Sequence, residues 1–188
     1  MKPAPFDYQA PGTLRVVIDL LASNPEAFVI AGGQSLMPVL AFRLATPSLL
    51  VDLRRLPGLD HIAVGDDGIR LGALVRWRDI EYDQQLAAAH PLLHAAAAHV
   101  AHYQIRNRGT VGGSLAHADP AAELPGVAVT CGGEITLCGP AGSRTVRAGD
   151  FFTGPLSDTP PAGRDRHRAA SVEMAERPAL GVPKICPA

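Results

Sequence analysis

Two glycine-paired segments stand out for the chemistry they permit: Ala31-Gly32-Gly33-Gln34-Ser35 and Thr110-Val111-Gly112-Gly113-Ser114. Each removes Cβ atoms where the chain turns next to apolar sequence, and each ends in a hydroxyl, so each can set bare backbone amides against phosphate oxygens. Double glycines are also ordinary tight turns, and one alone carries little. Two on separate segments point to a diphosphate-bearing cofactor gripped from both sides, either a nucleotide or a flavin. Neither segment fits Gly-x-Gly-x-x-Gly or the lysine-containing phosphate loop, which disfavours a Rossmann or P-loop site.

The other reactive residue types form weaker patterns. Asp119 and Glu123 are four apart and share a face if that segment is helical. A carboxylate just past a glycine turn can accept ribose hydroxyls, while acidic residues that complement a helix dipole are an equally natural reading. Arg106 and Arg108 precede the second turn, either as phosphate partners or, the favoured reading, as surface charges. His90 with His94, and His99 with His102, lie at helical spacing, but no carboxylate completes a His-Glu-x-x-His set, so capping or solvent-facing roles are expected rather than metal binding. Ser35 and Ser114 lack the Gly-x-Ser-x-Gly context of a nucleophilic serine. Cys131, Cys138 and Cys186 are odd in number with no close Cys-x-x-Cys pair, which indicates neither a disulfide framework nor a zinc or iron–sulfur site.

The elements that must position these residues follow from periodicity. Leu14, Val17, Ile18 and Leu21 give an amphipathic helix over 13–23, stopped at Asn24-Pro25. The apolar run 27–31 reads as a buried strand ending at the first glycine pair. A helix over 36–44 follows, with Ser35 as its N-cap and Pro38 in its first turn. Strand, glycine turn and helix start in that order aim amides at an anion. A second buried strand is expected over 48–53, and hairpins around Gly65-Asp66-Asp67-Gly68 and Gly139-Pro140-Ala141-Gly142. Helices are expected over 77–89 and 91–101, and over much of 119–130 unless Pro125-Gly126 breaks it. From Pro155 onward prolines and the cluster Arg164-Asp165-Arg166-His167-Arg168 give no hydrophobic period, so irregular chain is expected there.

Composition bounds the function. At 188 residues and 47% hydrophobic the chain can bury a core, and 17 Lys plus Arg against 18 Asp plus Glu, scattered, argue against a general nucleic-acid or membrane-surface binder. Neither a secretory leader nor a membrane-spanning run is read from the sequence, so a cytoplasmic location is expected.

Four segments together carry a resemblance: Ala-Gly-Gly-Gln-Ser-Leu-Met-Pro at 31–38, Val-Asp-Leu-Arg-Arg-Leu-Pro-Gly-Leu at 51–59, Gln-Ile-Arg-Asn-Arg-Gly-Thr-Val-Gly-Gly-Ser-Leu-Ala-His-Ala-Asp-Pro-Ala-Ala-Glu-Leu-Pro at 104–125, and Gly-Asp-Phe-Phe-Thr-Gly at 149–154. In this order they resemble the FAD-binding medium subunit of molybdenum hydroxylases, the group that includes carbon monoxide dehydrogenase and the flavin domain of xanthine dehydrogenase. The resemblance implies an α+β, two-lobed FAD-binding fold: an N-terminal α/β lobe over 1–56, a second α+β lobe over 57–157, and an atypical irregular tail over 158–188 where the family's C-terminal domain is expected to be missing.

By position, the resemblance implies that Ala31, Gly32, Gly33, Gln34, Ser35 and Leu36 surround the FAD pyrophosphate on one side, and Thr110, Gly112, Gly113 and Ser114 on the other. Glu123 falls where the family places an acidic FAD contact, Asp119 lies in the same Ala-Asp-Pro stretch, and Val100 occupies a position near the cofactor in some relatives. No proton-transfer residue is implied. The implied activity is that of an oxidoreductase subunit: a molybdopterin-binding large subunit oxidises substrate, a 2Fe-2S small subunit relays electrons, and this chain passes them through FAD to an external acceptor. A stand-alone flavin oxidoreductase, or a truncated non-catalytic FAD-binding scaffold, are the alternatives.

Overall fold

The structure is a computed structural model that describes residues 1–66, 68–158 and 170–174. Thr13 starts helix α1 (Leu14–Ser23) by accepting a hydrogen bond from the Val16 amide. Val17 and Leu21, one turn apart, bury the same face against a three-stranded parallel sheet made of β1 (Asp7–Gln9), β2 (Ala27–Ile30) and β3 (Leu49–Asp52), in the order β1-β3-β2. All four residues of the central strand β3 are buried, as a strand covered on both faces requires.

Asp52 ends β3 almost wholly out of solvent and is held by three donors. The Tyr8 hydroxyl and Arg54 Nε both reach its Oδ2 at 2.7 Å, and the Arg54 amide reaches Oδ1 at 2.8 Å. Burial pushes the Asp52 carboxyl up, but the hydrogen bonds from Arg54 and Tyr8 outweigh it and leave it below its ordinary range. Accepting from Tyr8 in turn raises the Tyr8 phenol. The cluster ties β1 to the end of β3 and opens a short 3₁₀ turn over Leu53–Arg55.

The remainder of the chain builds on a second sheet. The two expected hairpins form as β4 (Ile62–Gly65) with β5 (Gly68–Leu71), and β6 (Glu134–Gly139) with β7 (Gly142–Arg147). A short strand pair, β8 (Phe152–Gly154) with β9 (Ser157–Asp158), follows. Strand β10 (Ala170–Met174) then inserts antiparallel between β5 and β6, giving the order β4-β5-β10-β6-β7. Irregular chain was expected throughout this region, so the strands β9 and β10 are a correction. The short run Ala-Ser-Val-Glu-Met has no sequence period of its own and pairs because two strands flank it. The rest of that expectation lies outside the described residues.

The helices of this part of the chain are α3 (Trp77–Tyr82), α4 (Gln84–Ala89), α5 (Pro91–His99), α6 (Tyr103–Arg106), α7 (Val111–His117), α8 (Glu123–Thr130) and the short α9 (Ala148–Phe151), of which α4, α7 and α9 pack on strands of the sheet. Leu86, Leu93, Leu115, Leu124, Ile135 and Phe151 are fully buried between the layers. The single helix expected over 77–89 is two, because Asp83 is extended (φ −80°, ψ 108°) and its carboxylate accepts from the Leu86 amide at 2.9 Å, capping α4. α8 runs through Pro125-Gly126 unbroken, since Pro125 falls in the first turn where no intrahelical amide bond is lost. That helix begins only at Glu123. Asp119 precedes it in a turn, so the two carboxylates do not share a helix face, a second correction.

Candidate functional site

The first glycine segment leaves β2 and turns into α2 (Leu36–Ala41). Gly33 takes φ +71°, a conformation costing a side-chain-bearing residue about 1–2 kcal/mol. The Gln34 side-chain amide closes the turn by donating to the Gly32 carbonyl at 2.8 Å, and the Met37 amide donates to the Gly33 carbonyl at 3.0 Å. Ser35, expected to cap α2, does not. It sits in helical conformation (φ −90°, ψ −40°) and makes no side-chain capping bond, whereas a cap must be extended for its oxygen to reach forward. α2 also stops at Ala41 rather than Leu44, with Arg43 left-handed beyond it. The amides of Gly33, Gln34, Ser35 and Leu36 have no partner among the described residues.

The second segment is organised differently. Thr110 is extended and caps α7, its Oγ1 accepting from the Gly113 amide at 3.2 Å. The Val111 and Gly112 amides donate to the carbonyls of Val75 and Ala73, each at 2.9 Å, and the Ser114 amide donates to the Thr110 carbonyl at 2.9 Å. All four leading amides of α7 are therefore spent within the fold. The symmetric amide grip inferred from the two glycine pairs is corrected: bare amides stand on one wall, and the opposite wall offers hydroxyls and a surface without side-chain bulk.

The glycines also divide by what a Cβ would meet. At Gly32 it would collide with the Arg108 carbonyl, with the Gly109 Cα at 3.0 Å. At Gly112 it would press on Ala73, Cβ to Cβ at 2.8 Å, and at Gly113 it would crowd Thr110 Oγ1 at 2.9 Å. Gly32 thus lets the first turn sit directly on the backbone leading into the second. Contact between these two stretches brings both segments onto one cavity of about 910 Å³, within the range of cofactor and ligand clefts.

All thirteen residues singled out from the sequence line that cavity: Ala31 to Leu36 from the first segment, Thr110, Gly112, Gly113 and Ser114 from the second, and Val100, Asp119 and Glu123. Asp119 Oδ1 is engaged by the Ala121 amide at 2.9 Å. Among the described residues no lysine or arginine lines the cavity; Glu26, His117, Asp119 and Glu123 are its ionisable side chains. Residues missed from sequence are Glu26 and His117 and the apolar or backbone part of the lining, such as Trp77, Ile105, Leu53 and Gly109. Trp77 is nearly fully buried, and its type alone reads as core.

The arginines and histidines that drew attention earlier fall outside the lining. Arg106 is half-enclosed by Glu81 and the Val100–Ala101 backbone, and Arg108 is exposed. His90 caps α5 through Nδ1, and His94 Nε2 meets the Glu81 carbonyl. Among the described residues no three of His, Cys, Asp and Glu gather as a metal-binding set, and no helix is long and apolar enough to cross a membrane. Cys131 and Cys138 are free thiols raised by burial.

Comparison with known proteins agrees with this geometry. Residues 4–164 match the family described as the FAD binding domain in molybdopterin dehydrogenase. The chain is 43% identical over 155 residues to the nicotine 6-hydroxylase medium subunit of Paenarthrobacter nicotinovorans, covering 82% of this chain and 55% of that protein. It is 37% identical over 155 residues to the carbon monoxide dehydrogenase medium chain of Hydrogenophaga pseudoflava, covering 82% of this chain and 54% of that one. Quinoline 2-oxidoreductase from Pseudomonas putida 86 superimposes with a TM-score of 0.89 at 42% identity, over 94% of this chain and 61% of the other. The chain thus spans little more than half the length of the curated relatives it matches. With a family match across most of its length and a glycine-walled cavity where that family's motifs converge, the chain belongs to the FAD-binding domains of molybdopterin dehydrogenases.

Proposed function

We propose that this chain is the FAD-holding portion of the medium subunit of a molybdenum hydroxylase, passing electrons from an iron–sulfur subunit through FAD to an external acceptor. The observation that carries the reading is the asymmetry of the cavity walls. Four unpartnered amides, Gly33 to Leu36, line the same cavity as the side-chain-free Gly113, and an anionic bridge such as a pyrophosphate suits both. Amide dipoles do there what a lysine or arginine does in other phosphate sites, since no such cation among the described residues lines the cavity. The hydroxyls of Ser35, Thr110 and Ser114 add polar contacts. Asp119 and Glu123 accept from sugar or ribityl hydroxyls, which keeps two carboxylates compatible with a charged ligand. Val100, Trp77 and Ile105 supply the apolar surface that a ring system needs.

Bound FAD supplies the reversible redox chemistry, and the chain's own residues bind and orient it. We assign residues 1–56 and 57–157 as the two lobes that hold it, consistent with separate hydrophobic clusters on either side of the cavity. A molybdopterin-binding large subunit and a 2Fe-2S small subunit are the proposed partners and the cytoplasm the proposed compartment. The relatives are named as medium subunits or chains, which supports an assembly. The test is direct: the purified chain is titrated with FAD and followed by flavin fluorescence and absorbance. Saturable quenching and co-elution of flavin are expected, followed by bleaching of the bound flavin on addition of a reduced iron–sulfur partner. Absence of any uptake refutes the cofactor assignment, and uptake without reduction refutes the electron-transfer role.

A further inference from the structure

The wall of the cavity beside Val100 is held in a strained shape. α5 ends at His99, and the chain then turns through Val100 and Ala101, both of which line the cavity. Ala101 has φ +39°, the left-handed region that a residue with a Cβ avoids. The turn is pinned from behind by one side chain. Arg106 Nη1 donates to the Val100 carbonyl at 3.2 Å and to the Ala101 carbonyl at 3.3 Å, and its Nε donates to Glu81 Oε2 at 3.0 Å. Arg106 and Glu81 are only 15% and 25% exposed, so this pair is a partly enclosed, charge-assisted clamp rather than a solvated surface contact. It reaches from α3 through the guanidinium to the elbow, and the planar fork of arginine is what allows two carbonyls and a carboxylate to be met together.

We infer that Arg106, anchored by Glu81, is a positioning residue for the cofactor: it holds the Val100–Ala101 elbow in the left-handed form that gives this wall of the cavity its shape. Arg106 does not line the cavity and acts only through the elbow. The inference rests on the FAD reading above, but it makes a claim of its own about the flavin-free protein: without the clamp, Ala101 relaxes out of the left-handed region and the wall loosens.

The experiment uses the complete chain in four forms: wild type, Glu81→Gln with Arg106→Gln, Ala101→Gly, and the triple combination. Changing both charged partners avoids leaving a lone carboxylate that would destabilise the fold for an unrelated reason. FAD dissociation constants and amide hydrogen exchange around residues 100–103 of the flavin-free protein are read for each. The double variant is expected to bind FAD at least about tenfold more weakly, the weight of a charge-assisted hydrogen bond, with faster exchange at the elbow. Adding Ala101→Gly is expected to recover much of that loss, because glycine adopts positive φ without the clamp. A merely structural arginine is not bypassed by a glycine at the elbow. A double variant with wild-type affinity, or a loss that Ala101→Gly leaves untouched, overturns the role of Arg106 while leaving the FAD reading intact. Failure of the wild-type chain to take up FAD overturns both.

Discussion

Substituting alanine for Gly32 tests whether the two glycine segments meet for a reason. The added Cβ would lie inside the contact distance of the Arg108 carbonyl oxygen, with the carbonyl carbon and the Gly109 Cα each at 3.0 Å. All three neighbours are backbone, so no rotamer change relieves the clash. Comfortable carbon contacts begin near 3.5 Å, so the first turn must back away from residues 108 and 109 by about 1 Å. Overpacking against an unyielding neighbour costs about 1–3 kcal/mol, and the upper half of that range applies here. For a chain of this length the expected fall in Tm is roughly 5–10 °C.

The proposed cofactor grip is expected to weaken by a comparable free energy, because the same displacement widens the cavity between the two glycine segments. A 1 Å misplacement of positioning groups is worth up to about a hundredfold, so the FAD dissociation constant is expected to rise by about ten- to a hundredfold. Gly33→Ala is the control. Its Cβ meets only the Ile30 and Met37 side chains, at 3.3 and 3.4 Å, so its cost comes mainly from φ +71° rather than from separating the segments. Calorimetric unfolding and FAD titration of both variants decide the matter. If Gly32→Ala binds FAD as tightly as wild type and unfolds at the same temperature, the proposed contact between the two walls is wrong.

Two further predictions follow from charge. Folding lowers the Asp52 carboxyl, so its contribution is fully present above the unfolded aspartate range near pH 4 and is lost as pH falls through its lower folded value. Denaturant unfolding of Asp52→Asn against wild type is expected to show a gap at pH 7 that narrows steadily toward pH 2; a gap independent of pH refutes the assignment. Because no lysine or arginine among the described residues lines the cavity, FAD affinity is expected to change by less than about threefold between roughly 50 and 500 mM salt. A steep loss with salt would mean that a cation, rather than amides, holds the diphosphate.

What the sequence revealed and what it hid have a common physical origin. Local rules carried the hairpin at Gly65 to Gly68, the strand into Gly32 and the amphipathic helix that ends before Asn24-Pro25, because each depends on residues a few positions apart. The glycines and hydroxyls of the cavity lining were legible for a different reason, since such residues at turns advertise a close approach even before the approaching partner is known, whereas Val100 and Glu123 came from the family resemblance. The occupancy of the α7 amides was hidden, since the carbonyls that consume them belong to Ala73 and Val75, on a segment packed alongside by tertiary structure. Gly32 was half hidden in the same way. Its sequence context suggests a ligand, and besides lining the cavity it has the Arg108 backbone as its nearest neighbour, so it also lets the two walls close. Arg106 completes the pattern: a charge assigned to the surface turns inward because Glu81 and two strained carbonyls are there to receive it. In this cavity the residues closest in sequence to the motif set the local turn, and distant backbone decides which of their polar groups remain available for chemistry.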